Sequence, residues 1–401
     1  MIKSIETMNI AEWHALFGSR TAILSDHIRN AAFVQAALAA IHQIKPGLAP
    51  ERDRFFELHA HLHILLLLLH LAPNQALRPG AFIGFHTHTA ISEVQLKITG
   101  ILQNKPETAE GTVDRQLLTE TLSFLRRQML IETGDKAYFS DSYFGLWHCW
   151  IGPNQSQPQL YLEELQHLNE APSLLSSALS RRPWLLAQAW MNFFLRRDQE
   201  ALALLAEINS GFGLRSSDLF PLLSAMAEAG EWQRLLEWLA ETAPLMERQK
   251  PNSLEIFYGY WDGVISHIPH AEQQMWGPLF RLSPSIYEQK LLMHGKWQQW
   301  MDYQLSTGTD PFAYRVGVFA PIEKHAPELL LPFYHQAAES YVLLKNRGGY
   351  KSAVKLLKRL AKLYKKRKDE ERWETFIAAF ASRHSRLRAL QEELRKGKLI
   401  P

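Results

Sequence analysis

Cysteine is nearly absent from this 401-residue chain, where Cys149 stands alone. A single thiol excludes an intramolecular disulfide and any zinc site built on several thiolates, and it fits a reducing compartment. Long apolar runs are missing too. The longest, Ile64 to Leu69, lies between His63 and His70. It falls well short of the ~20 residues that span a bilayer and reads as part of a buried helix. The N-terminal Met-Ile-Lys-Ser-Ile-Glu-Thr lacks the apolar centre of a secretion signal. The expectation is a cytoplasmic protein with no membrane partner.

Catalytic signatures are equally scarce. The chain contains no G-x-S-x-G elbow, no G-x-x-x-x-G-K-S/T or G-x-G-x-x-G phosphate loop and no H-E-x-x-H pair. Cys149 lies between His148 and Trp150, but sequence neighbours diverge on a helix or strand, so adjacency does not activate the thiol. Histidine is plentiful, with 17 copies, and His59, His61, His63, His70, His86 and His88 crowd one stretch. His59 and His63 share a helix face, whereas His86 and His88 would share one only in an extended segment. No acidic residue falls between Ala60 and Ala90 to complete or orient a metal-binding set. A metal-dependent hydrolase using His59, His63, His86 or His88 is the last alternative. The leading expectation is a protein that is not an enzyme and holds no cofactor.

Hydrophobic content of 46% with 21% charged residues is that of a folded chain. Helical periodicity dominates, and Pro and Gly gather at punctuation points such as Gly152-Pro153 and Asp310-Pro311. A short theme recurs: Gly230-Glu231-Trp232, Gly295-Lys296-Trp297 and Gly349-Tyr350 each open a helix, with a weaker copy at Arg197-Asp198. The glycine is read as the left-handed residue that ends the preceding helix. The resulting fold class is all-α, an irregular tetratricopeptide-like α-solenoid of helical hairpins, with an irregular bundle as the competing architecture. At most one small β-hairpin is expected, with Leu130-Ile131-Glu132 and Ala137-Tyr138-Phe139 flanking Thr133-Gly134-Asp135-Lys136. Breaker-rich Ile151 to Gln159 suggests a boundary. The division is then an N-terminal domain over 1–150, a degenerate repeat region over 160–340 and a basic C-terminal segment over 341–401. The tryptophans sit at helix starts and helical spacings, which favours inter-helix packing over a base-stacking platform.

Acidic residues are the last thing in short supply, and only at one end. From Tyr341 to Pro401 there are 18 Lys and Arg against 6 Asp and Glu, a balance of +12, while the rest of the chain carries −9. Between Tyr350 and Lys368 an apolar stripe of Tyr350, Ala353, Val354, Leu357, Leu360, Ala361 and Tyr364 repeats at helical period. The other face carries Lys351, Lys355, Lys358, Arg359, Lys362, Lys365 and Lys366. Arg383 and Arg386 decorate the next helix. Like charges at this spacing oppose a helix, so the pattern points outward, to a polyanionic or acidic partner. A protein partner and nucleic acid both fit. The bland reading is a solvated face, or one matched by the acidic remainder of the chain.

Several segments also carry a likeness. His325-Ala326-Pro327-Glu328-Leu329-Leu330-Leu331-Pro332-Phe333-Tyr334-His335 leads to Lys345-Asn346-Arg347 and Tyr350-Lys351-Ser352-Ala353-Val354-Lys355-Leu356-Leu357. Leu387-Arg388-Ala389-Leu390-Gln391-Glu392-Glu393-Leu394 and Lys396-Gly397-Lys398-Leu399 follow. Over about 320 to 399 this resembles the C-terminal helical part of the SWIM zinc-finger proteins of Bacillus-like Firmicutes. Upstream, Ile64 to Asn74 and Gly84 to Leu102 look similar to the family's middle region. The resemblance implies zinc held by a C-x-C…C-x-H module and association with DNA or with other proteins. Cys149 alone cannot build that module, so no zinc ligand is carried over.

Overall fold

The computed structural model describes residues 4–25, 27–45, 47–70, 84–104, 115–132, 137–152 and 158–401. Among them the regular elements are helical and no strand occurs. The chain divides into two compact units, Met1–Glu272 and Gln273–Pro401. The expected boundary near 150–160 ends in residues outside the described set. Residue 340 lies inside a helix, Leu330–Leu343, so the basic segment begins mid-helix and belongs to a larger packed unit.

The first unit contains α1 (Ile10–Thr21), α2 (Ala31–His42), α3 (Pro50–Leu69), α4 (Phe85–Gln103), α5 (Arg115–Leu130) and α6 (Tyr138–Leu146). A π-helical turn, Trp147–Ile151, extends α6 and ends at left-handed Gly152. Then come α7 (Pro158–Leu175), α8 (Arg181–Phe194), α9 (Asp198–Gly211), α10 (Ser216–Glu228), α11 (Trp232–Thr242) and α12 (Pro251–His267). The run Ile64 to Leu69 does lie in a buried helix. From Leu58 to Leu69 α3 carries only apolar residues and three histidines, and a helix of that kind has to be surrounded. Phe55, Phe56, Leu58, Leu62, Ile64 and Leu65 are wholly buried, with α1, α2 and α4 packed against them.

The second unit contains α13 (Glu272–Leu282) apart from its first residue, α14 (Pro284–Met293), α15 (Trp297–Thr307), α16 (Val316–His325), α17 (Leu330–Leu343), α18 (Arg347–Lys366), α19 (Glu370–Arg383) and α20 (Arg388–Lys396). Its core joins Trp300, Phe319, Phe333 and Tyr334 to Leu356, Leu357 and Leu360 of α18 and to Leu390 and Leu394 of α20. The tryptophans behave as packing residues: Trp13, Trp147, Trp238, Trp261 and Trp300 are buried.

Two local expectations change. Among the described residues of 130–139 no strand occurs: Leu130 closes α5 and Tyr138 opens α6, and the expected turn at 133–136 lies outside the described residues. The physical reason is a cap. The Glu132 carboxylate accepts the backbone N–H groups of Phe139 (2.9 Å) and Ser140 (3.2 Å) and the Ser140 hydroxyl (2.9 Å), satisfying donors at the start of α6 that a helix leaves open. The repeat theme holds at Gly230 and Gly295, whose φ values of 69° and 65° are left-handed. It fails at Gly349, which is buried inside α18. There the left-handed residue is Lys345 (φ 50°), and the Asn346 side chain caps the helix by accepting the Gly349 N–H at 2.7 Å.

Gly349 serves a different purpose. A Cβ there would stand 2.5 Å from the Tyr341 carbonyl oxygen on α17, so its absence lets α17 and α18 pack closely. Gly349→Ala is expected to lower stability by about 1–3 kcal/mol through overpacking, despite alanine's better helix propensity. Gly348→Ala, which meets only the Asn346 side chain at 3.3 Å, should be near neutral. Denaturant unfolding of the two variants checks the contrast.

Candidate functional site

α18 is held on three sides by α17, α19 and α20. Gly349, Tyr350, Ala353, Val354, Leu356, Leu357, Leu360, Leu363 and Tyr364 are buried on those sides. What remains to solvent is one narrow face. At 100° per residue, Lys351, Lys355, Lys358, Lys362 and Lys365 fall within an arc of about 80° and form a row about 21 Å long. All five are exposed, and none makes an ion pair or a side-chain hydrogen bond among the described residues. α18 contains no acidic residue. Each neighbouring pair along the row opposes the helix by about 0.2–0.5 kcal/mol. Burial of a single leucine, worth about 1.5–3 kcal/mol, outweighs the whole row. Tertiary packing therefore imposes the charge array on a helix that would not choose it.

The other expected basic residues are placed differently. Arg359 is half-buried, its guanidinium 5.1 Å from the centre of the Phe312 ring and 5.8 Å from that of Tyr334. Lys366 Nζ donates to the Glu323 carbonyl at 2.8 Å. Arg383 pairs with Glu339 at 2.8 Å, and His384 meets the other oxygen of that carboxylate at 3.0 Å. Arg386 is exposed in the turn after α19. Acids of the same unit also take Arg347, through Glu392 and Glu393, and Arg367, through Glu328. The unit thus pairs arginines at the edges and leaves the lysine row without an ion pair among the described residues, although Glu393, taken by Arg347, also attracts Lys351 at one end of it.

The histidines form a second cluster, in the first unit, with a member that sequence reasoning passed over. His14 of α1 lies between His59 and His63 of α3. The hydrogen bonds run one way. Thr121 Oγ1 donates to the Leu117 carbonyl at 2.7 Å, so it accepts from His59 Nε2 at 2.9 Å. His59 Nδ1 is then bare and accepts His14 Nε2–H at 3.0 Å. His14 Nδ1 in turn accepts His63 Nδ1–H at 3.3 Å. His14 also stacks on Phe124, with centroids 4.4 Å apart.

Four of the six ring nitrogens are spent between the rings, His59 Nε2 goes to Thr121 and His63 Nε2 faces Thr21 Oγ1 at 3.5 Å, and His14 offers opposite edges to its two neighbours, so they do not aim at a common point. Among the described residues no group of three histidines, cysteines or carboxylates is arranged to hold a metal ion. His86 and His88 are exposed on the first turn of α4, away from this chain of bonds. Cys149 is half-buried, and burial pushes its thiol up, away from the reactive thiolate.

Comparison with known proteins adds one relative. Over 197 residues the chain is 28% identical to the uncharacterized protein YwqB of Bacillus subtilis (strain 168), covering 45% of this chain. The match spans 36% of YwqB, about a third of its length. No family model and no solved structure matches. Among the described residues no helix is long and apolar enough to cross a membrane.

The histidine cluster makes the first unit sensitive to acid. Burial lowers His14 to about 3, helped by His63, and lowers His63 to about 4; His59 falls well below its ordinary value for the same reason, helped by His14. The unfolded chain, with histidines near 6.5, then binds more protons than the folded one. Stability is fully present above about pH 6.5 and is lost as pH falls below it. At pH 5, His63 alone accounts for about 2 kcal/mol. Urea unfolding at pH 7.5 and pH 5 should show this loss, and the pH dependence should shrink in His63→Phe.

Proposed function

We propose that the chain is a non-enzymatic helical interaction protein that engages nucleic acid through the lysine row of α18, by contacts to the phosphate backbone. The observation that carries this reading is five exposed lysines in line, none in an ion pair among the described residues, on a helix whose other faces are fixed by packing. Lysine supplies a point charge on a flexible stem, suited to phosphate, and lacks the planar fork of arginine. The two aromatic residues of α18, Tyr350 and Tyr364, are buried, so the face offers no ring for bases to stack on. Binding should follow charge and be indifferent to sequence.

The likeness of residues 320–399 to SWIM zinc-finger proteins supports the same direction, since that resemblance implies association with DNA or proteins. A scaffold role, with a protein partner held by the same basic helices, rests on the hairpin architecture. No zinc is invoked.

Titration of labelled duplex DNA across a salt series tests the proposal. With all five lysines on phosphates, the logarithm of the affinity should fall against the logarithm of salt with a slope of about −4.5. Replacing Lys355, Lys358 and Lys362 by Glu should abolish binding while circular dichroism stays unchanged. Binding that ignores salt, or survives the triple change, overturns the reading. Salt-dependent capture of an acidic polypeptide but not of DNA would leave a scaffold and remove the nucleic acid.

A further inference from the structure

A cavity of about 210 Å³ opens in the first unit between α6 with its π turn, α8 and the start of α10. Its floor is apolar: Phe144 and Trp190 meet at 4.9 Å between ring centres, with Leu186 beside them. Its charged groups are of both signs, and most are already occupied. Arg182 donates to Asp218 at 2.5 Å, and Asp218 also accepts the Arg215 backbone N–H at 2.8 Å. Glu132, behind the wall, is taken up by its cap on α6. Asp141 differs. It stands at the mouth, partly in solvent and partly withdrawn from it, and among the described residues its carboxylate accepts no hydrogen bond and forms no ion pair, although Arg215 and Arg182 act on it through space.

We propose that this cavity binds an organic cation, a primary alkylammonium or guanidinium group on an apolar stem. The head lies against Asp141 and the stem crosses Phe144 and Trp190. Aromatic faces attract cations, and a desolvated carboxylate beside them adds the larger share. An anion would have to approach Asp141 and Asp218, and the arginine nearest the floor is already engaged. Two features favour the anion: Arg182 Nε and the Trp190 indole N–H, both in the lining, have no acceptor among the described residues, so an anion of the same size is the competitor to exclude.

The titration of Asp141 agrees with this geometry. Burial pushes its carboxyl up to about 6, and Glu132 and Asp218 act in the same sense, while Arg215 and Arg182 oppose. His148 is the remaining titratable group on the rim. A bound cation adds to the partial compensation that Arg215 and Arg182 give. Below about pH 6 Asp141 is protonated and the attraction fades. This site is independent of the lysine row, and its failure would leave that reading untouched.

The test is calorimetric or NMR titration of the full chain with n-butylammonium, n-butylguanidinium and n-butyrate at pH 7.5 and pH 5.5. The cations should bind at pH 7.5 and weaken at pH 5.5, and butyrate should not bind. Asp141→Asn should weaken the cations by about tenfold or more and remove the pH dependence. Its melting temperature should hold or rise, because the lost charge was repelled by Glu132. Arg215→Gln, which removes an opposing charge, should strengthen cation binding. Capped tripeptides with a central Lys or Arg separate the two sources of such a group: binding by the peptides indicates a basic side chain of a partner, and binding by the free amines alone a small molecule. Equal or better binding of butyrate, undiminished affinity in Asp141→Asn, or no cation binding overturns the proposal.

Discussion

The helical hairpins depend on one backbone turn, used repeatedly. A residue in the left-handed region ends a helix, and the N–H of the following residue reaches back to a carbonyl five positions earlier. Arg197 bonds Asn192 (2.9 Å), Glu231 bonds Met226 (2.9 Å), Lys296 bonds Leu291 (2.8 Å) and Asp369 bonds Tyr364 (3.0 Å). The left-handed residues are Arg196, Gly230, Gly295 and Lys368. One bond satisfies an orphan carbonyl and reverses the chain in the same step, so the next helix starts antiparallel to the last. Only two of the four are glycine, so tertiary packing must offset the cost of placing an arginine and a lysine there. At the first of these turns the compensation is visible. Arg196 pairs with both oxygens of Glu231, while Arg234 binds Asp198 and the Phe193 carbonyl and stacks on the Phe193 ring at 4.2 Å.

Because these turns set the spacing of successive helices, they also decide which side chains can meet. α18 starts two residues after left-handed Lys345 and runs back along α17 so closely that Gly349 cannot carry a Cβ. Arg347 at its first turn is tied to Glu393 at 2.9 Å, and a Cβ on Gly397 would stand 2.7 Å from Val354. α20 is thereby drawn onto the same helix. The face left over is the lysine row, fixed in direction by packing on its other sides.

Much of this was legible in the residues, and what was hidden is instructive. The stripe and the charged face of α18 follow from a 3.6-residue period, which needs no tertiary knowledge. Arg359 belongs to the charged face by that count, yet it turns aside because Phe312 and Tyr334, from distant parts of the unit, offer ring faces. Lys366 is lost to the row through a carbonyl on α16 in the same way. The turn signal Thr-Gly-Asp-Lys suggested strands, but a carboxylate seven residues upstream of Phe139 could cap a helix there, and the cap won. His14 carried no local mark at all. Its place in the histidine chain comes from α1 packing on α3, a contact that spacing along one helix cannot express.

The two titratable clusters show how burial sorts similar chemistry into different roles. Imidazole loses its charge cheaply, so three rings can be buried as neutral groups that hydrogen-bond to one another and to Thr121. An ammonium cannot do this near neutral pH, and a row of them stays in water wherever the fold allows. The fold here goes further than allowing it. It pairs neighbouring arginines, the groups best suited to forked contacts, with glutamates of the same unit, and keeps single-point charges at the surface. A surface built in that way discriminates by charge density along a line.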